Sequence, residues 1–521
     1  VFRALWIAQL GANLGTWTQT VGAQWLMGDL GGGALEIALV QAATTLPVFL
    51  LVVPAGALGD IFDRRRLLLL GQLVMFVGAA GLAACTATGL INEELLLALI
   101  AVMAIGQALS QPVFQAIQPE LVPHEEIPQA ALLNGANTNV ARAAGPALGG
   151  VLIAAVGPEA TFALNTLSFL GVLGVIFRWR RPRDERPLGA ERISGAIMAG
   201  ARYVRSAPAF AKVIARSMLF MVFASGLWAL LPAIARGPLD LGAGGYGMLL
   251  GCIGVGAVCG AFVLPVLRAQ LAANVIVTGA MAVYGGAMAV TGLVRSVPAV
   301  VVALMLAGFS WIAVLSTLNA TAQVLLPAWT RARALAYYQL VFMGGQALGA
   351  IGWGVIADVA GLAVAFAIPA IGLGLAAVWG LRRLPLPVHK VNIAQSQHWP
   401  EPPEELPQDP DAGPVLVIAE WRVAPDDAEE FITAMRPVGR SRRRTGASLW
   451  GLFRDAEDPE LFLETFTVAT WREHLRQHLE RGTKMDEEIE VRAAELTIDG
   501  QGPNVRHLTW APSAWPGRAE G

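Results

Sequence analysis

The residues in this sequence whose types and spacing could do chemistry are amides. Gln9, Asn13, Thr16 or Trp17, Thr20 and Gln24 recur every three or four positions near the start of the chain, and Gln107, Gln111, Gln115 and Gln118 do the same further on. That spacing places each set on one face of a helix. The chemistry open to them is hydrogen bonding, with tryptophan adding stacking, and no catalytic residue is expected. Both stripes lie in apolar stretches, where an amide without a partner is costly, so each should face protein or a water-filled cavity. Polar contact between helices, with no ligand, is the equal alternative for any single glutamine.

Two charged groupings stand out as well. GALGDIFDRRRLLL at 56–69 sets Asp60 and Asp63 against Arg64, Arg65 and Arg66. A carboxylate at one helix tip and arginines at the next can lock two helices in one state and release them in another; the plainer alternative is a topogenic charge cluster. NVARAAGPALGG at 139–150 puts Arg142 inside an apolar run. A charge at such a depth costs at least about 2.5–3.5 kcal/mol on insertion scales, so Arg142 must face the bundle interior. Asn134, Thr138, Arg142, Gly145 and Gly149 share one broad face, small residues on it allow close helix contact, and Pro146 frees the Arg142 carbonyl.

The elements that position these residues are membrane spans. The chain has 521 residues, 55% hydrophobic and 15% charged, with mean hydropathy +0.55, which marks a polytopic membrane protein. A formal net charge of −2 gives no sign of nucleic-acid binding. Cys85, Cys252 and Cys259 all fall in apolar segments, with neither disulfide framework nor zinc spacing. The sequence opens on Val1 and enters the first helix at once, so no cleavable leader is expected.

Twelve spans are expected near 4–27, 36–58, 67–89, 95–117, 130–156, 160–178, 213–235, 244–267, 273–294, 297–323, 333–357 and 361–381. An even number puts both ends on one side, and Lys and Arg concentrate there: Arg3, Arg64 to Arg66, nine from Arg178 to Lys212, Arg268, Arg331, Arg333, Arg382 and Arg383, against Arg236 and Arg295 opposite. The positive-inside rule makes that side cytoplasmic.

The basic loop 181–212 divides the spans into halves, 1–180 and 213–383. A repeat supports the division: LVP at 121–123 recurs as LLP at 325–327, GPALGG at 145–150 as GQALGA at 345–350, and GPEATFALN at 157–165 as GLAVAFAIP at 361–369. Parallel six-span halves are the build of an alternating-access transporter. Arg142 is then expected to hold a polar contact between the halves, with Gly145, Pro146 and Gly149 supplying bend and close packing. A static arginine bonded to carbonyls is the alternative.

GALGDIFDRRRLLL and AAGPALGG at 143–150 resemble, respectively, the second-to-third-helix loop of the major facilitator superfamily and the fifth-helix signature of its exporters. NLGTWTQTVGAQWLM at 13–27 and QPVFQAIQPELVP at 111–123 resemble the branch that includes the bacterial enterobactin exporter and macrolide-efflux-type proteins. The resemblance implies that the first, fourth, seventh and tenth helices line a central cavity, so Trp228, Ser310, Trp311, Thr317 and Asn319 would join Asn13, Trp17, Thr20, Gln24, Gln107, Gln111 and Gln115 around the substrate. It also implies an outward-state latch with Asp60 as the acid, although Ile61 and Asp63 replace the usual basic residue and glycine. A large neutral or weakly anionic aromatic solute suits amides and tryptophans.

Proton antiport follows from family alone. The acids available, Asp29, Glu120, Glu159 and Asp358, sit near helix ends. The expected function is export of a small organic molecule across the bacterial plasma membrane, siderophore first and macrolide or multidrug second, with no cofactor.

After Arg383 the segment 384–414 holds eight prolines and should be an extended tether. Residues 415–510 then read strand, helix, strand, strand, helical region, strand, a ferredoxin-like α+β order, followed by a short tail, 511–521. This part resembles the dimeric α/β barrel of antibiotic-biosynthesis monooxygenases, which would make the other function class a transporter fused to an enzymatic or regulatory module. Self-association is favoured over activity, because an open four-stranded sheet has one face to cover. His474 and His478, spaced i, i+4, could hold a metal, but no third ligand is apparent and a solvated helix face is the favoured reading. RSRRR at 440–444 is read as capping a helix C-terminus rather than touching lipid.

Overall fold

The computed structural model describes residues 2–61, 63–117, 121–123, 126–179, 201–327, 329–387, 392, 394–396, 399, 413–498, 500 and 502–510. Glu120 and Gln118 lie outside them, and so do the side chains of Asp60 and Gln115.

Twelve helices of 21 residues or more are present among the described residues: α1 (Phe2–Asp29), α2 (Ala34–Ile61), α3 (Arg64–Ala87), α4 (Glu93–Ile117), α5 (Ile127–Ala155), α6 (Pro158–Arg178), α7 (Pro208–Arg236), α8 (Ala243–Gln270), α9 (Ala273–Leu293), α10 (Val297–Val324), α11 (Arg331–Ala360) and α12 (Leu362–Arg383). Ten are long and apolar enough to cross a membrane. The other two, α1 and α5, carry the amide stripe and Arg142.

Local sequence sets the helix ends. Asp63 is the N-cap of α3, its Oδ1 accepting the Arg66 N–H at 2.9 Å, which is why an acid serves here. The repeat is visible in the backbone: Gly157 before α6 and Gly361 before α12 take φ of 124° and 88°, values that glycine alone adopts freely.

The described residues fall into two compact units, one comprising Val1–Ala190, Val213–Ala320 and Tyr338–Leu386, the other Glu191–Lys212, Thr321–Tyr337 and Pro387–Gly521. In the first unit α1 packs on α5 and α6, α3 on α4 and α6, α2 on α4, and α9 on α12. Among the described residues, a long contact between the halves runs along α5 and α8. It is built from glycines: a β-carbon at Gly150 would lie 2.7 Å from the Gly247 Cα, and one at Gly254 would lie 2.6 Å from the Ala143 Cα.

The second unit holds β1 (Val415–Arg422), α13 (Ala428–Thr445), β2 (Leu449–Arg454), β3 (Leu461–Val468), α14 (Trp471–Arg476), α15 (Lys484–Ala494) and β4 (Asn504–Thr509). The sheet is antiparallel in the order β2-β3-β1-β4. Alternation along β3 sends Phe462, Glu464, Phe466 and Val468 inward. The opposite face carries Leu449, Phe453, Leu461, Leu463, Leu416 and Ile418, all half-buried or exposed.

The expected second helical region breaks into α14, a π-helical turn at Gln477–Arg481 and α15, which restarts with a capping box between Thr483 and Asp486. Residues 201–212 and 321–337 pack with this fold. Tyr203 Oη donates to the Leu325 carbonyl at 3.1 Å, and the Arg481 guanidinium lies 5.1 Å from the centre of the Trp329 ring.

Two expectations for this region are corrected. His474 and His478 are 1% and 8% exposed, so they are not on a solvated face. Three of the four arginines of RSRRR, Arg442, Arg443 and Arg444, do fill the last turn of α13, but Arg442 is buried against Glu464 (2.9 Å) and Glu490, and Arg444 pairs with Asp486. They satisfy carboxylates that the sheet and α15 carry inside, a demand invisible along one helix.

Candidate functional site

The first unit encloses a cavity of about 660 Å³, within the size range of small-molecule sites. Asn13, Trp17, Thr20 and Gln24 of α1, Gln107 and Gln111 of α4, Trp228 of α7, and Trp311 and Asn319 of α10 all line it. The helical spacing thus brings residues from four helices onto one void. Ser310 and Thr317 are not among its lining; both are buried within α10, and Thr317 accepts from Arg268 at 3.2 Å. Their positions are offset from Trp311 and Asn319 on the helix, so they point into packing.

Inside the cavity the amides are held in order. Gln9 Nε2 donates to Asn13 Oδ1 (3.0 Å), Asn13 Nδ2 to Asn137 Oδ1 (2.8 Å), and Asn137 Nδ2 to the Trp6 carbonyl (2.9 Å). Asn165 Nδ2 donates to Gln19 Oε1 at 2.7 Å, pinning α6 to α1. The Gln111 Oε1 accepts no hydrogen bond among the described residues. The tryptophans form a chain: Trp17 to Trp228 with ring centres 6.0 Å apart, and Trp228 to Trp311 at 5.3 Å. Such spacings are those of interacting aromatic pairs.

Arg142 lines the same cavity, its guanidinium 5.7 Å from the centre of the Trp17 ring. It therefore lies over a residue of its own half, and the expected polar contact between halves is not what the geometry shows. Its Nε makes no hydrogen bond among the described residues. Arg142 is the only charged residue in the described lining, which holds no carboxylate. Gly145 and Gly149 instead face α1, where added β-carbons would lie 2.5 Å from the Trp17 Cβ and 3.0 Å from the Thr18 carbonyl oxygen. The Pro146 carbonyl faces Gly247 of α8.

At the Asp29 end of α1 the halves are closed on each other. Arg236 pairs with Asp29 at 2.9 Å, donates to the Trp25 carbonyl at 2.8 Å and stacks 4.0 Å over the Trp25 ring. Tyr246 Oη donates to Gln24 Oε1, while Gln24 Nε2 donates to the Trp228 carbonyl at 3.3 Å. Gln24 thus spends its amide on this closure. Tyr246, Trp25 and Arg236 escape a reading of polar stripes because two are aromatic and the third ends a helix. Gln41, Thr44, Gln339 and Gln346, on α2 and α11, also line the cavity; a search limited to four helices passes over them.

In the first turn of α3, Arg65 donates from Nε to the Ile176 carbonyl (3.1 Å) and from Nη2 to the Phe177 carbonyl (2.6 Å). It satisfies the end of α6, where a cation also suits the helix dipole. Arg64 is half-buried beside it, and the Asp60 side chain lies outside the description.

Among solved structures, a bacterial homologue of the human lysosomal transporter Spinster in an inward-facing form aligns with 73% of this chain and 95% of its own, at TM-score 0.58 and 14% identity. A POT family transporter in complex with 5-aminolevulinic acid aligns at TM-score 0.60 and 13% identity over 72% of this chain and 94% of that one. These establish the fold.

In sequence, the multidrug efflux pump Tap of Mycolicibacterium fortuitum is 25% identical over 390 residues, 71% of this chain and 93% of its own. The staphyloferrin A transporter of Staphylococcus aureus is 29% identical over 162 residues, 31% of this chain and 41% of that one. The enterobactin exporter EntS of Salmonella typhimurium is 26% identical over 291 residues, 54% and 67%. A family pattern described as transmembrane secretion effector matches residues 1–513, through both halves and into the C-terminal fold. The chain is a multi-pass membrane transporter of the major facilitator type and belongs to the transmembrane secretion effector family.

Proposed function

We propose that this transporter exports a small aromatic organic molecule with anionic character, a siderophore before a macrolide or other drug, by alternating access. The observation that carries the reading is the cavity: amides, three linked tryptophans and one arginine, with no carboxylate in its described lining. A cation in a site of low dielectric that lacks a counter-charge favours an anionic guest. Catecholate and carboxylate siderophores combine negative charge with hydrogen-bonding groups, and the catecholates add rings that can stack. Two relatives are named for siderophore transport and one for multidrug efflux; the broad aromatic lining is what keeps the drug reading as the second one.

In this proposal all twelve long helices span the membrane and both termini are cytoplasmic, so closure at Asp29 and Arg236 makes the described state inward-facing. Protons are the proposed coupling ion. The cavity supplies no acid for them, which directs attention to the closed end. There Asp29 meets Arg236, and Asp358 Oδ1 would lie 3.4 Å from a β-carbon on Gly33. The C-terminal fold is read as ferredoxin-like, as a means of self-association through its open sheet face, and as having no catalytic part in transport.

Counterflow in inverted vesicles with catecholate siderophores, carboxylate siderophores and a macrolide tests the substrate. Faster exchange of the siderophores is expected, and exchange of the macrolide alone would reverse the order. Collapsing the pH gradient should abolish concentrative transport; transport that persists in sealed vesicles removes proton antiport.

A further inference from the structure

We propose that the C-terminal fold carries a site for a divalent first-row transition metal, held by His474, His478 and His507. The third ligand is out of reach of helical spacing: His507 comes from β4, on the sheet face covered by helices, and meets the pair from α14 and the π-helical turn. One ring nitrogen from each histidine lies within 4.8 Å of the other two. His474 Nε2 and His478 Nε2 are 3.2 Å apart. Two imidazoles on a tetrahedral zinc, each at ~2.0–2.1 Å, place their nitrogens about 3.3 Å apart. The first pair therefore stands at liganding separation, and a modest swing of the His507 ring completes the set.

The hydrogen bonds around the cluster select the form that binds metal. Thr445 Oγ1 donates to the Ser441 carbonyl at 3.0 Å, so it accepts from Gln477 Nε2 at 3.2 Å. That orients Gln477 Oε1 toward His474 Nδ1, 3.2 Å away, where it accepts the ring proton. The lone pair of His474 is thereby left on Nε2, facing the cluster. A metal-bound histidine is held in the same way, its other nitrogen donating to a fixed acceptor.

A hydrogen bond between His478 and His474 accounts for two rings but not for the third. His507 Nε2 is buried and makes no hydrogen bond among the described residues, a state that costs roughly 1–3 kcal/mol if nothing meets it. Trp471 and Trp399 wall the cluster, with ring centres 5.4 Å from His474 and 4.6 Å from His478. The nearby cation Arg442 is neutralised by Glu464 and Glu490. The π-helical turn carrying His478 is a rare geometry that often marks functional sites. Three imidazoles suit zinc, copper, nickel or iron(II), and they leave a fourth position for water.

The test uses the full-length chain in detergent, purified without a histidine tag, stripped with chelator and titrated with Co²⁺ and then Zn²⁺. One cobalt per chain is expected, with the ligand-field absorption of a four-coordinate nitrogen site that zinc abolishes, and zinc should raise the melting temperature. His507→Phe, which keeps the ring packed, should lose the cobalt spectrum and the melting shift. Gln477→Ala should weaken affinity about 10–100-fold. No cobalt spectrum in the unsubstituted protein, or the same spectrum in His507→Phe, would overturn the proposal.

Discussion

Arg142 is the residue on which the proposed recognition turns. Its cost of insertion is met by facing a cavity rather than lipid, and Trp17 supplies a cation–π partner without cancelling the charge. Replacing it by methionine should weaken transport of anionic substrates about tenfold to a hundredfold, the worth of a charge-assisted hydrogen bond of roughly 1.5–3 kcal/mol. A neutral macrolide should be affected less, and Arg142→Lys should retain part of the activity. Normal siderophore exchange by both variants, with protein present in the membrane, would rule the anchoring role out.

Arg442 illustrates the opposite use of the same side chain. Burial pulls its pKa down, but Glu464 and Glu490 more than offset this, so it is held above its ordinary value and stays charged. Arg442→Met would leave buried carboxylates without their cation. The C-terminal fold should lose about 3–5 kcal/mol, read as earlier denaturant unfolding of Trp450 and Trp421 fluorescence.

Helices show where sequence reading succeeds and where it stops. The stripes on α1 and α4 were legible because a polar residue in an apolar span has few places to go, and nine of the twelve residues expected around the substrate do share one cavity; Ser310 and Thr317 do not line it, and the Gln115 side chain is outside the description. Arg142 was legible as an inward-facing charge. Its partner was not, since contact with Trp17 depends on how α1 crosses α5. The histidine cluster needed β4 to return beside α14, a long-range pairing that no spacing announces. The α5–α8 seam is sharper than the GPALGG pattern implied: Gly145 and Gly149 serve α1, and Gly150 serves α8. Gly150→Leu should block transport while the chain still inserts, measured as vesicle exchange against membrane protein content; unchanged exchange would show that the close approach is dispensable.

For the whole molecule, the notable outcome is how the chain groups. Residues 201–212 lead into α7, and 321–337 join α10 to α11, yet both pack with the C-terminal fold. The second unit thus draws on segments from between the long helices as well as on the C-terminal part of the chain. The open sheet face, with Phe453 58% and Leu449 69% exposed, is the proposed self-association surface. Phe453→Arg together with Leu463→Arg should convert a larger species to the monomer in light scattering of the detergent-solubilised protein. A chain that is monomeric before substitution would remove self-association from the account.

The glycine seam between α5 and α8 has one more consequence, for speed. Backbone meets backbone there, and glycine has no rotamers to freeze, so sliding or re-forming that contact carries no side-chain ordering entropy. The aromatic and ionic closure of Trp25, Tyr246, Arg236 and Asp29 does fix long side chains each time it forms. In the proposed cycle the slow step is then expected at the closed end of the cavity, where those side chains must order, while the seam beside it would act as a bearing that turns with little resistance.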